Sequence, residues 1–197
     1  MYRTAVALAI VCCAVCSASR AVAGLLLSFD QASYTIAGPG TAVDVKVLVS
    51  QTATGPQVGP GNELLTSGVV FGYANPSGVA RVQTATDVLA GPAWTSSSAS
   101  ASATSASLAT TSLPGIADLS SPLLIGTFHL TGLSLGVTTI SVANLTPGPS
   151  FETIQGNVLD PTNTATAIVQ VVPEPSSIML LAALALSLGL AAGRRAA

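Results

Sequence analysis

The sequence predicts an all-β protein, an antiparallel β-sandwich or jelly roll, with an apolar segment at each end. Three observations carry this. Residues 42–49 alternate, placing Val43, Val45, Val47 and Val49 on one face and Asp44 and Lys46 on the other, the period of a half-buried strand. Gly- and Pro-bearing turns recur between short runs of strand formers, at 37–40, 59–62, 91–92 and 147–149. Between residues 24 and 171 no stretch keeps a 3.6-residue apolar period, and many short strands without intervening helices fold as a sandwich.

The elements follow in order. Residues 1–23 have the layout of a secretory signal, with Arg3 as the basic n-region and an apolar run from Thr4 to Cys16. Ala21-Val22-Ala23 supplies the small-x-small cleavage pattern, so Gly24 is the expected mature start; Cys16-Ser17-Ala18 is a second possible cut. The alternative of an uncleaved anchor meets a length problem, because a spanning helix needs about 20 apolar residues. All three cysteines, Cys12, Cys13 and Cys16, lie inside this segment. The exported chain then has no disulfide, no thiolate metal site and no cysteine nucleophile.

The ectodomain, 24–171, is long enough for one domain with its own core. Strands are expected at 25–29, 33–36, 42–49, 67–73, 79–83, 123–131, 138–142 and 165–171. The tract 96–107 is almost pure Ser and Ala. It reads either as a flat edge strand, Ala on one face and Ser on the other, or as a mobile loop with little apolar area to offset the cost of ordering. Asn144-Leu145-Thr146 matches a glycosylation sequon.

Charge excludes one class of partner. Lys46 and Arg81 stand against Asp30, Asp44, Glu63, Asp87, Asp118, Glu152 and Asp160, a net −5 for the ectodomain. Nucleic acid needs a basic face, and none is available. No catalytic constellation is visible either. His129 is the sole histidine, on a strand face with Thr127 and Thr131, and no serine sits in a G-x-S-x-G elbow. Cysteines and further histidines for a metal site are missing, and the carboxylates are scattered, so no cofactor is expected. Trp94, the sole tryptophan, reads as core packing or as a stacking platform for a sugar ring, with Tyr34 and Tyr73 as possible helpers.

The third segment, 172–197, begins Val172-Pro173-Glu174-Pro175-Ser176-Ser177, continues as an apolar run to Ala192 and closes on Gly193-Arg194-Arg195. Each proline fixes φ and holds the residue before it extended. A membrane helix is expected over about 177–193. Residues 178–193 as a helix reach about 24 Å, short of a hydrocarbon core of about 30 Å. Arg194 and Arg195 then act as a cytoplasmic stop. Gly189 and Gly193 form a GxxxG pair that could join two such helices.

Motif, short Leu/Ala-rich helix and closing arginines, in that order, resemble the PEP-CTERM sorting signal of Gram-negative bacteria. The resemblance implies that an exosortase, a membrane transpeptidase-like protease, cuts at Val172, Pro173, Glu174 and Pro175. It further implies an inner-membrane intermediate that later reaches the cell surface or an exopolysaccharide matrix. Three stretches of the ectodomain, 42–49, 65–76 and 124–140, resemble the cohesin-like sandwich of exported bacterial proteins. The expected function is thus a sorted, non-enzymatic surface or matrix protein. The alternatives are a carbohydrate-binding module using Trp94 as ligand contact, and a cohesin-type module binding another surface protein through an exposed apolar patch.

Overall fold

The computed structural model describes residues 24–52, 58–74, 78–145, 150–159, 161, 163–174 and 179–180. Twelve strands form two facing sheets: β1 (Leu25–Phe29), β2 (Ser33–Ile36), β3 (Ala42–Gln51), β4 (Leu64–Tyr73), β5 (Ala80–Arg81), β6 (Val88–Ala90), β7 (Ser96–Ala101), β8 (Ser105–Ile116), β9 (Leu123–Gly132), β10 (Gly136–Asn144), β11 (Glu152–Thr153) and β12 (Ala165–Val171). One 3-10 turn, Ala85–Asp87, precedes β6. The smaller sheet runs β1-β3-β9-β5, with β6 also on β9; the larger runs β2-β12-β10-β4-β8-β7, with β11 also on β4. Pairing is antiparallel except for β2 beside β12.

Alternation decides which side chains meet between the sheets. On β3, Val45, Val47 and Val49 are fully buried, and Val69 and Phe71 of β4, Leu108 of β8, Phe128 and Leu130 of β9, and Ile140 and Val142 of β10 face them. Removing such a side chain from water contributes about 1.5–3 kcal/mol each. Phe71 joins the two layers: its ring stacks on Phe128 at 4.7 Å and meets Phe29 and Tyr73 edge-on at 5.9 and 5.7 Å.

Glycines appear where backbones crowd. A Cβ on Gly91 would lie 2.1 Å from the Leu124 carbonyl oxygen, and one on Gly126 would lie 2.3 Å from Leu108 Cδ2. These two positions let β6 and the turn after it lie close on β9, beside the register shift between Val47 and Leu48.

Several expected strands have the observed bounds, notably 25–29, 33–36 and 165–171. The stretch 79–83 is strand only at Ala80–Arg81, and Val82 instead donates its N–H to the Tyr73 hydroxyl at 3.0 Å. The Ser/Ala tract is neither a single edge strand nor a loop. It folds as a hairpin, β7 and the start of β8, turning at 102–104, where the Ser102 hydroxyl accepts from the Ser105 N–H. Only β7 is an edge. β8 lies between β7 and β4 and buries Ala106, Leu108, Thr110 and Ser112.

Candidate functional site

The sorting motif begins where the sandwich ends. Val171, the last residue of β12, pairs with Ile36 of β2 on one side and Gly136 of β10 on the other. Val172 still donates its N–H to the Ile36 carbonyl at 2.9 Å. Pro173 has no N–H to offer, so pairing stops there. Pro173 and Glu174 are exposed. Glu174 lies across Gly38, whose φ of +122° and missing side chain leave room for it; a Cβ there would come within 3.0 Å of Glu174 Cγ. No linker separates the folded domain from the motif.

Pro175, Arg194, Arg195, Ala21 and Ala23 lie outside the described residues, as do both apolar end segments apart from Met179 and Leu180, which are helical and exposed. Among the described residues no helix is long and apolar enough to cross a membrane. Gly24, the expected mature start, is tied to Thr52: its N–H donates to Thr52 Oγ1 at 2.9 Å, and that hydroxyl donates back to the Gly24 carbonyl at 3.2 Å.

A second feature is the outer face of the larger sheet. Six of its seven strands contain no charged residue. Ser, Thr, Gly and Ala dominate the outward positions, among them Thr66, Gly68 and Gly72 on β4, Ser107, Ala109 and Thr111 on β8, and Ser96, Ser98 and Ser100 on β7. The hydroxyls of Ser100 and Ser107 bond across the strands at 2.7 Å. A cavity of about 240 Å³, open to solvent, lies over β4 and β8 between Thr66, Gly68, Thr111, Ser150 and Glu152. A second, of about 210 Å³, continues from Ala109 and Thr111 to residues 96–98. Glu152 of β11 is the one carboxylate at the rim.

The polar residues weighed as chemical groups do not gather there. His129 pairs with Asp44 across β9 and β3, Nδ1 to Oδ1 at 2.8 Å, on the outside of the smaller sheet and half-exposed. Asp87 lies near it. Its carboxylate is held below the usual range, first by the Thr84 hydroxyl and N–H and only slightly by His129. Among the described residues no three His, Cys, Asp or Glu side chains come together as a metal site.

Trp94 is packed inside. It is 8% exposed, belongs to the core cluster and donates its indole N–H to the Leu124 carbonyl at 3.1 Å. Tyr34 and Tyr73 are buried too. None of the three offers an open ring face, so the stacking platform considered for Trp94 is absent from this arrangement. The neutral face is not among the sequence expectations, although its signal is present: no charged residue occurs in 64–73, 96–116, 136–144 or 165–171.

A motif model described as the PEP-CTERM protein-sorting motif matches residues 171–196. The chain carries a PEP-CTERM sorting signal. Such a motif implies an exported protein processed by an exosortase. None of the curated proteins matches the chain. Among solved structures the sandwich is similar to cohesin modules. A type III cohesin of a cell-surface anchoring scaffoldin from Ruminococcus flavefaciens is 15% identical with a TM-score of 0.54, covering 79% of this chain and 92% of that one. The sixth cohesin of scaffoldin B from Acetivibrio cellulolyticus, solved with a dockerin, is 14% identical with a TM-score of 0.53, covering 76% and 99%. A cohesin module of a Clostridium perfringens family 33 glycoside hydrolase is 11% identical with a TM-score of 0.51, covering 78% and 98%. At these identities the likeness shows the fold, a cohesin-like β-sandwich.

Proposed function

We propose that this is an exported surface or matrix protein, held in the inner membrane of a Gram-negative bacterium by its C-terminal segment until an exosortase cuts at the PEP motif. The sandwich is its non-catalytic module, and its work in the extracellular polysaccharide layer is structural or adhesive. The observation that carries the reading is the direct junction of motif and fold: β12 runs without a linker into Val172-Pro173-Glu174. Processing at that point leaves the sandwich intact and frees it from the span expected at about 177–193.

The uncharged, hydroxyl-lined outer face of the larger sheet supports the adhesive half. It offers hydrogen-bond donors and acceptors with no ionic desolvation to overcome. A second reading, a cohesin-type module that binds another surface protein, is supported by the fold likeness to cohesins, one of them solved with its dockerin. A pulse-chase in a host with and without an active exosortase tests the first part. The expected result is a mass loss covering the apolar segment only when the enzyme is present, and retention of the segment in both hosts overturns it. Co-fractionation of the released sandwich with the host's matrix polysaccharide tests the second part, and capture by a protein partner in its place selects the second reading.

A further inference from the structure

The sandwich has two unlike ends, and the difference follows the direction of the PEP motif. At the motif end Val171 and Gly136 are paired, Gly132 lies against Gly38 and Val171, and Leu133 donates its N–H to the Val79 carbonyl at 2.7 Å. The turns there, 37–41 and 132–136, hold no charged residue, and Glu174 lies against Gly38 of the first. The cation nearest this end is Arg81, which pairs with Thr131. Leu135 and Val137 are 53% and 61% exposed at the start of β10; Leu113, Ile154 and Val158 are exposed toward the opposite end, so charge and the exit of the tail, not apolar surface alone, set the two ends apart. Ile168, 50% exposed, follows on the same outer face of the neighbouring β12.

The opposite end is acidic. Glu63 precedes β4, Asp118 follows β8, and Glu152 pairs with Thr66. Glu63 and Asp118 lie beyond the far ends of β4 and β8, whose other ends approach the motif, and Glu152 lies within β11 beside Thr66, near that far end of β4. No Lys or Arg accompanies them among the described residues. β10 alone separates the two ends by about 30 Å at 3.4 Å per residue.

Eight residues connect Val171 to Met179, a reach of at most about 28 Å when fully extended. A tether this short keeps the end from which the tail leaves closest to the bilayer, whose anionic headgroups attract cations and repel carboxylates. We infer that the uncleaved protein rests its motif end on the lipid surface, with Leu135 and Val137 in the interfacial layer and Glu63, Asp118 and Glu152 turned away. The occupant of this apolar edge is thus the membrane that receives the chain's own tail. The inference rests on the membrane-held intermediate proposed above. It adds an orientation, in which the neutral hydroxyl-rich face stands upright from the membrane and the PEP motif lies at its surface.

The test uses the full chain and places a second tryptophan at one end of the sandwich or the other, Leu135→Trp or, beside Glu152 at the acidic end, Val158→Trp, with Trp94 as a constant buried background. The chain is reconstituted without exosortase in phosphatidylethanolamine/phosphatidylglycerol vesicles, some carrying brominated acyl chains. Leu135→Trp is expected to emit further to the blue and to lose intensity in brominated vesicles, while Val158→Trp matches the parent. Vesicle flotation reports tail insertion separately. Failure to float overturns the membrane-held intermediate. Flotation with equal, parent-like quenching at both sites overturns the orientation and leaves that intermediate standing.

Discussion

Glu174 of the sorting motif lies directly over Gly38, where an added Cβ would sit 3.0 Å from Glu174 Cγ. Motif and sandwich therefore share a boundary, and changes in the fold reach the motif through the Ile36–Gly38 corner.

Gly38→Ala adds a methyl 3.0 Å from Glu174 Cγ at a φ of +122°. Both effects act against the native corner, at about 1–3 kcal/mol for backbone strain in this region. Hydrogen exchange at the Val172 amide, bonded to the Ile36 carbonyl, is expected to quicken in the variant. Unchanged protection would separate the motif from the corner.

Trp94→Ala removes a large core ring and the N–H that satisfies the Leu124 carbonyl. The expected loss is about 3–5 kcal/mol in chemical denaturation, as for other large-to-small core changes. Trp94→Phe keeps most of the volume and is expected to lose clearly less. A surface-exposed indole would show almost no loss in either variant.

Ser67 and Thr110 form a buried hydroxyl pair at 2.7 Å between β4 and β8. Ser67→Ala leaves the Thr110 hydroxyl only the long bond to the Ser67 carbonyl at 3.5 Å, and the expected loss is about 1–3 kcal/mol, as for a poorly satisfied buried group. The double variant Ser67→Ala/Thr110→Val removes both polar atoms and is expected to recover part of that loss. A fully additive double-mutant cycle would show the pair to be uncoupled.

Burial, reinforced by the Asp30 carboxylate that accepts its hydroxyl at 2.6 Å, pushes the Tyr34 phenol well above its usual 10.0, and burial raises Tyr73 as well. Folding thus favours the protonated phenols. Their contribution is complete below the ordinary tyrosine value and declines as pH rises beyond it toward the folded-state values. Urea midpoints are expected to fall above about pH 10. Tyr34→Phe lowers stability near neutrality by about 1.5–3 kcal/mol, the worth of a hydrogen bond to a charged group. It also makes the alkaline decline shallower. An equally steep decline would assign the effect to other groups.

Legibility in the sequence tracked side-chain contrast. The alternation of Val with Asp and Lys in β3 made that strand and its buried face plain. In 105–116 the same inward alternation is carried by Ala106, Leu108, Thr110 and Ser112. Small and hydroxyl-bearing side chains give little hydrophobic contrast, so a central strand looked like an edge or a loop. Trp94 was read two ways because flanking Gly, Pro and Ser suited a loop, and only the Leu124 carbonyl beside its N–H gives it an inside position.

By itself the sequence determined the C-terminal sorting motif and the chemistry on offer: an acidic stretch 24–171 without cysteine, and strands wherever large apolar residues alternate with polar ones. These are local properties, written in neighbouring residues. The tertiary structure decided which strand is central, which face is free of charge, where the tryptophan points and that the motif abuts the Ile36–Gly38 corner. Those depend on pairings between residues far apart in the chain, such as Val171 with Ile36 and Ser107 with Val70, and a one-residue change of register would exchange every inward and outward side chain.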